Sequence, residues 1–180
     1  MPGRKQTFLA AAAVLCVLVC MAGWLAMGSK ALGTPGIRAL SGGLSPLDMR
    51  PGYTGADADE LLDRLGADGR AFYTRYLLID LFFIVGFAGV QILLANRIAR
   101  SVTTPVYMRL MALLVLARGA FDLAEDGMIL AMIRLHPVLP GTLVRVAAQV
   151  TWLKFAALVP WLVMLIAVAF RRMRRRKEKA

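Results

Sequence analysis

Residues 106–133, VYMRLMALLVLARGAFDLAEDGMILAMI, decide how this chain folds. The run is long enough to cross a bilayer, which takes about 20 residues of helix. Its middle nevertheless carries Arg118, Asp122, Glu125 and Asp126. At about 100° per residue these four side chains fall within an arc of about 100°, so the helix has one polar stripe and is otherwise apolar. Such a segment is stable in hydrocarbon only if the stripe faces other helices. Arg118 and Asp122 are also spaced to pair along the helix.

Working outward, His136-Pro137 and Pro140-Gly141 break the pattern, and a second apolar run follows from Leu143 to Phe170 with Lys154 inside it. The break makes a tight antiparallel hairpin. Asp122 and Lys154 each lie about 11 residues, or ~16 Å, from its turn, which predicts that they meet. Upstream, Thr104-Pro105 starts the quoted helix, and a run from Tyr76 to Ala95 holds Asp80 about four residues, or ~6 Å, inside its outer end. Phe8 to Gly28 is a further apolar run. It is too long for a signal-peptide core of roughly 7–15 residues and reads as an uncleaved span. Pro160 predicts a bend in the last run, and Gly86 and Gly89 read as points of close helix approach.

Composition agrees with this reading. Apolar residues make up 59% of the 180, with a mean hydropathy of +0.65, against roughly 45–50% in a soluble domain. The expected fold class is therefore all-α, an integral membrane four-helix bundle forming one domain over residues 1–180. Its spans are 8–28, 76–95, 106–133 and 143–170, with an outer loop at 29–75 and a basic tail at 171–180. Cys16 and Cys20, four residues apart on one helix, read as small hydrophobes.

The net charge of +11 suggests nucleic acid only until the charges are placed. Arg4, Lys5, Arg97, Arg100, Arg109, Arg171, Arg172, Arg174, Arg175, Arg176, Lys177 and Lys179 share one side of a four-span arrangement. The other side holds Lys30, Arg38, Arg50, Arg64, Arg70, Arg75, Arg134 and Arg145, and six acids of the long loop offset them. This asymmetry predicts that both termini are cytoplasmic. The tail is suited to anionic lipid headgroups. It lacks the interleaved aromatics of a nucleic-acid surface, so nucleic acid is not an expected partner. No metal or cofactor pattern is present in the sequence, and none is assigned.

Within the outer loop, residues 29–46 are rich in Gly, Ser and Pro and predict irregular chain. Thr54 and Asp57 then predict a helix start, Leu61, Leu62 and Leu65 give it an apolar face, and Gly66 ends it. Asp68 is placed to cap a second helix that leads into the next span. The loop is expected to form a lid on the bundle or on the membrane surface.

Asp80, Arg118, Asp122, Glu125, Asp126 and Lys154 form the candidate site. An ionisable group at a helix centre costs roughly 2.5–3.5 kcal/mol to insert. Four acids against two bases leave a formal −2, so protons, water or a bound cation must compensate. Glu125 is the expected proton carrier, with Arg118 engaged by Asp122 and Asp126 turned to the wetter end. Three functions compete. The first is an acidic pocket, open outward, that binds a cationic or amphipathic ligand or carries protons during transport; a bundle this small would conduct only as a dimer or larger. The second is a structural or accessory subunit. The third is an intramembrane lipid-modifying enzyme with carboxyl acid and base, for which no nucleophile constellation can be named.

Leu47-Asp48-Met49-Arg50-Pro51-Gly52-Tyr53, the run Leu65 to Arg70 with Tyr73, Phe121-Asp122 followed by Glu125-Asp126, and Thr151 with Lys154 together resemble an uncharacterised family of small four-span bacterial membrane proteins. The resemblance covers about residues 45–155. Its most specific element is an intramembrane Asp-x-x-Glu followed by Asn or Asp, Asn being usual where this chain has Asp126. It implies the four-span architecture and adds Asp48, Arg50, Tyr53, Arg70 and Tyr73 as outer-loop contributors, without supplying a reaction. The plan is also distantly similar to the sterol-isomerase-like membrane fold, by span number and buried acids alone.

Overall fold

The computed structural model describes residues 3–99 and 103–177, and their regular structure is helical throughout. Helix α1 spans Arg4–Met27, α2 Thr34–Leu40, α3 Gly55–Ala99, α4 Pro105–Leu135 and α5 Gly141–Lys177, with a single 3-10 turn at Leu47–Met49. Arg100 and Lys179, two of the charges that orient the chain, lie outside the described residues.

Three helices, α1, α3 and α5, are long and apolar enough to cross a membrane. Helix α4 has the length, at 31 residues, but its charged stripe lowers its hydropathy. It packs against α5 as the expected hairpin. The Thr104 side chain accepts a hydrogen bond from the Tyr107 amide at its start, with Pro105 in the first turn. Helix α5 continues through Pro160 and carries the basic segment to Lys177 as helix.

Helix α3 touches both α4 and α5, whereas α1 lies on α3. Glycine explains how closely α1 approaches. A Cβ at Gly86 would stand 2.6 Å from the Cys20 backbone nitrogen, and one at Gly89 would stand 2.5 Å from Cys16 Sγ. Away from this seam much of α1 is open: Phe8, Leu9, Leu15 and Trp24 are all more than half exposed, as suits side chains solvated by lipid.

The outer loop is more ordered than its composition predicts. Residues 34–40 form α2 where irregular chain is expected, because Pro35 presets the first turn and Ile37 is fully buried in a core with Leu47, Leu61 and Tyr73. Tertiary packing outweighs the weak local signal. The next helix begins as expected. Thr54 Oγ1 accepts from the Asp57 amide while Asp57 Oδ2 accepts from the Thr54 amide at 2.7 Å, a reciprocal cap. These Thr54 bonds hold the Asp57 carboxyl below its ordinary pKa. Gly66 breaks α3 at φ 60, ψ −171, a region open essentially to glycine alone. The chain resumes helix at once, with no side-chain bond from Asp68 among the described residues, so Gly66 alone makes the corner.

Two apolar clusters result. One, at the loop end, joins Ile37, Leu47, Leu61, Leu62, Tyr73, Ile129 and Val144; the other, at the basic end, joins Ala95, Met111, Val115, Trp161 and Val168. The ionisable side chains lie between them.

Candidate functional site

The stripe on α4 is buried as its periodicity requires. Glu125 is 0% exposed, Asp122 3% and Asp126 4%, and Arg118 and Lys154 are each 9%. Arg118 Nη2 meets Asp122 Oδ2 at 2.5 Å, the pairing within α4 that the spacing predicts. Across the hairpin, Lys154 Nζ lies 2.6 Å from Glu125 Oε2 and 3.4 Å from Asp122 Oδ1. The predicted meeting of Lys154 with Asp122 is therefore present, and Glu125 is the closer partner. Thr151, one turn before Lys154, donates its hydroxyl to Glu125 Oε1. The Arg118 guanidinium also stacks over Phe87 of α3, 4.6 Å from the ring centroid.

Asp80 and Asp126 complete the acidic set from α3 and α4. Both are at least nine-tenths buried, and among the described residues neither forms an ion pair. Asp126 Oδ2 also has no hydrogen-bond partner among the described residues. Asp126 is thus buried where the expectation turns it to the wetter end, and Glu125, the expected proton carrier, has Lys154 beside it. Helical side chains lean toward the helix N-terminus, which carries Lys154 Nζ from the level of Asp122 toward Glu125, and among the described residues Asp126 is left without a cation.

The outer loop supplies the lid of the site. The 3-10 turn carries Asp48, 2% exposed, to the end of the bundle. Tyr73 donates to Asp48 Oδ1 and Tyr76 to Oδ2, each at 2.8 Å. Tyr73 in turn accepts from the Leu47 amide, and Lys154 Nζ donates to the Asp48 carbonyl at 2.7 Å. The turn is thus bonded to the cluster, and in this conformation Leu47–Met49 covers its loop end.

Of the other loop candidates, Tyr53 joins the site and the two arginines do not. Tyr53 is 5% exposed; burial first, then the charges of Glu125 and Asp48, raise the pKa of its phenol. Arg50 is held by Asp57 at 2.7 Å, and Arg70 donates to the Leu62 carbonyl at 2.9 Å. Each finds a local partner before it can reach the cluster. Tyr76 was not singled out by the sequence, although its place one turn after Tyr73 is a usable signal. The site therefore has five buried carboxyls, at positions 48, 80, 122, 125 and 126, against two buried bases.

Comparison with protein-family models, curated proteins and solved structures finds no match for the chain.

Proposed function

We propose that the chain spans a bacterial inner membrane four times, through α1, the part of α3 beyond Gly66, α4 and α5, and that the cluster around Lys154 binds protons and passes them on during transport. The observation that carries this is the charge balance. Five carboxylates with two cations leave a formal −3 in a buried site, and a site of that charge holds protons or a cation as a condition of staying folded. The bound cation of the competing reading would be an amphipathic amine entering where Leu47–Met49 now sits. Arg171, Arg172, Arg174 and Arg175 extend α5 as a helical basic segment, which supports contact with anionic headgroups.

A second reading has its own observation. Asp48, Tyr73, Tyr76 and Lys154 tie the loop to the bundle, as a purely structural adhesive would.

Infrared difference spectroscopy tests whether the cluster holds protons. A protonated carboxyl band should be present at pH 7, should vanish in Asp126→Asn and should persist in Glu125→Gln. Absence of the band in the unmodified protein would instead favour a bound cation. Orientation has its own expected result. In vesicles, a cysteine at Ala56 should react with an impermeant reagent from outside, and one at Thr103 only after permeabilisation; the opposite pattern reverses the assigned topology.

A further inference from the structure

Gln91 lies on the same face of α3 as Asp80, about 20° around the helix and ~16 Å closer to the basic end. It is 1% exposed, yet among the described residues neither its Oε1 nor its Nε2 has a hydrogen-bond partner. Trp161 bears the same relation to Lys154 on α5, about 20° around and ~10 Å onward. It is 3% exposed, and its Nε1–H also lacks a partner among the described residues.

Contacts between the helices set their depth. A Cβ at Gly119 of α4 would lie 3.8 Å from Ile84, Phe87 sits under Arg118, and Thr151 bonds Glu125. Counting along the antiparallel helices from these pairs puts Gln91 and Trp161 both near the level of Met111 and Val115, with which Trp161 packs. That level is one to two turns beyond Arg118, whose Nη1 is likewise without a partner among the described residues. From that level toward the basic end, a cleft of about 210 Å³ between α3 and α4 is lined by Ile92, Asn96, Arg109 and Met111. The cleft begins at Ile92, the residue next to Gln91.

A buried amide with both atoms unpaired is costly, whereas a buried water is stable where about two to four polar groups converge on it. We infer that Gln91, Trp161 Nε1 and Arg118 Nη1 bind a chain of water molecules linking the acidic cluster to this cleft, so that the site has a hydrated route toward the basic end. The inference rests on the proton-binding reading of the cluster and extends it by an exit.

The test uses the full chain in vesicles with Trp161 as the only tryptophan, after Trp24→Phe and Trp152→Phe. Emission from Trp161 should rise measurably in deuterium oxide, and Gln91→Leu should shift it to the blue and abolish the solvent effect. In a background lacking Cys16 and Cys20, Gln91→Cys should react with a small charged thiol reagent from the basic-end side, and the outward-facing Leu94→Cys should not. Proton flux into dye-loaded vesicles should fall at least tenfold in Gln91→Leu and be retained in Gln91→Asn. A Trp161 insensitive to deuterium oxide while Gln91 is intact overturns the inference, whether or not Gln91→Cys folds. The infrared carboxyl band decides the cluster reading separately, because Gln91→Leu leaves every carboxyl in place.

Discussion

Replacing Lys154 with alanine should destabilise the detergent-solubilised protein by roughly 3–5 kcal/mol, the range for breaking a buried ion pair from one side. The substitution removes the ammonium that contacts Glu125 at 2.6 Å and Asp122 at 3.4 Å, and with it the donor to the Asp48 carbonyl. What remains is a cluster of five acids with one base. Partners can then be ranked by double-mutant cycles. Lys154→Ala with Glu125→Ala should recover more of the loss than Lys154→Ala with Asp122→Ala, since Asp122 keeps Arg118 at 2.5 Å. Strictly additive losses in thermal melting, for both pairs, would show that Lys154 is coupled to neither.

The second large effect is expected at Asp48. Asp48→Ala removes the acceptor for two buried tyrosine hydroxyls, a loss of roughly 2–5 kcal/mol if each bond to the charged group contributes about 1.5–3 and some repulsion is relieved. The two hydroxyls are in direct contact with the carboxylate at 2.8 Å, whereas the relief acts at longer range on the other buried carboxyls. Asp48→Asn separates the terms: it keeps one acceptor oxygen and removes the charge, and should lose less than half as much. Amide exchange across residues 41–54 is the direct measurement. Protection should drop at least tenfold in Asp48→Ala, and unchanged protection there would mean that the 3-10 turn is held by its apolar neighbours alone.

The features legible in the sequence are those with a fixed period. The stripe from Arg118 to Asp126, the Thr104-Pro105 start, the break before α5, the Thr54–Asp57 cap and the Gly66 corner all follow from spacing along one helix or one turn. The depth match of Asp122 with Lys154 needed one further assumption, a tight hairpin, and the hairpin is present. What the sequence concealed depends on the path of the loop. Asp48 lies 25 residues before Tyr73, and no periodicity relates a 3-10 turn to a distant helix face. Arg50 and Arg70 match a site pattern equally well by residue type, yet Asp57 and the Leu62 carbonyl hold them elsewhere. Helix α2 was hidden because its seven residues, with a proline and a glycine, have little helical preference of their own. Gln91 has a signal of its own: eleven residues from Asp80 is three helical turns, and a lone amide on a buried apolar face is as informative as a lone charge.

The hairpin of α4 and α5 bears on how this protein can be made. Helix α4 emerges from the ribosome before Lys154 does, carrying Arg118, Asp122, Glu125 and Asp126 without their counter-charge from α5. At the insertion cost of a charged residue, four such groups oppose entry into lipid by on the order of 10 kcal/mol. In the four-span arrangement, α4 therefore has to wait beside the translocon until α5 has been synthesised, and the two helices enter the bilayer together. Helices α1 and α3, joined by a glycine seam with few charges, are free of that constraint and can partition singly. With α4 as a span, as proposed, the ion pairs at Lys154 impose an order on biogenesis: a nascent chain lacking α5 should leave α4 outside the membrane.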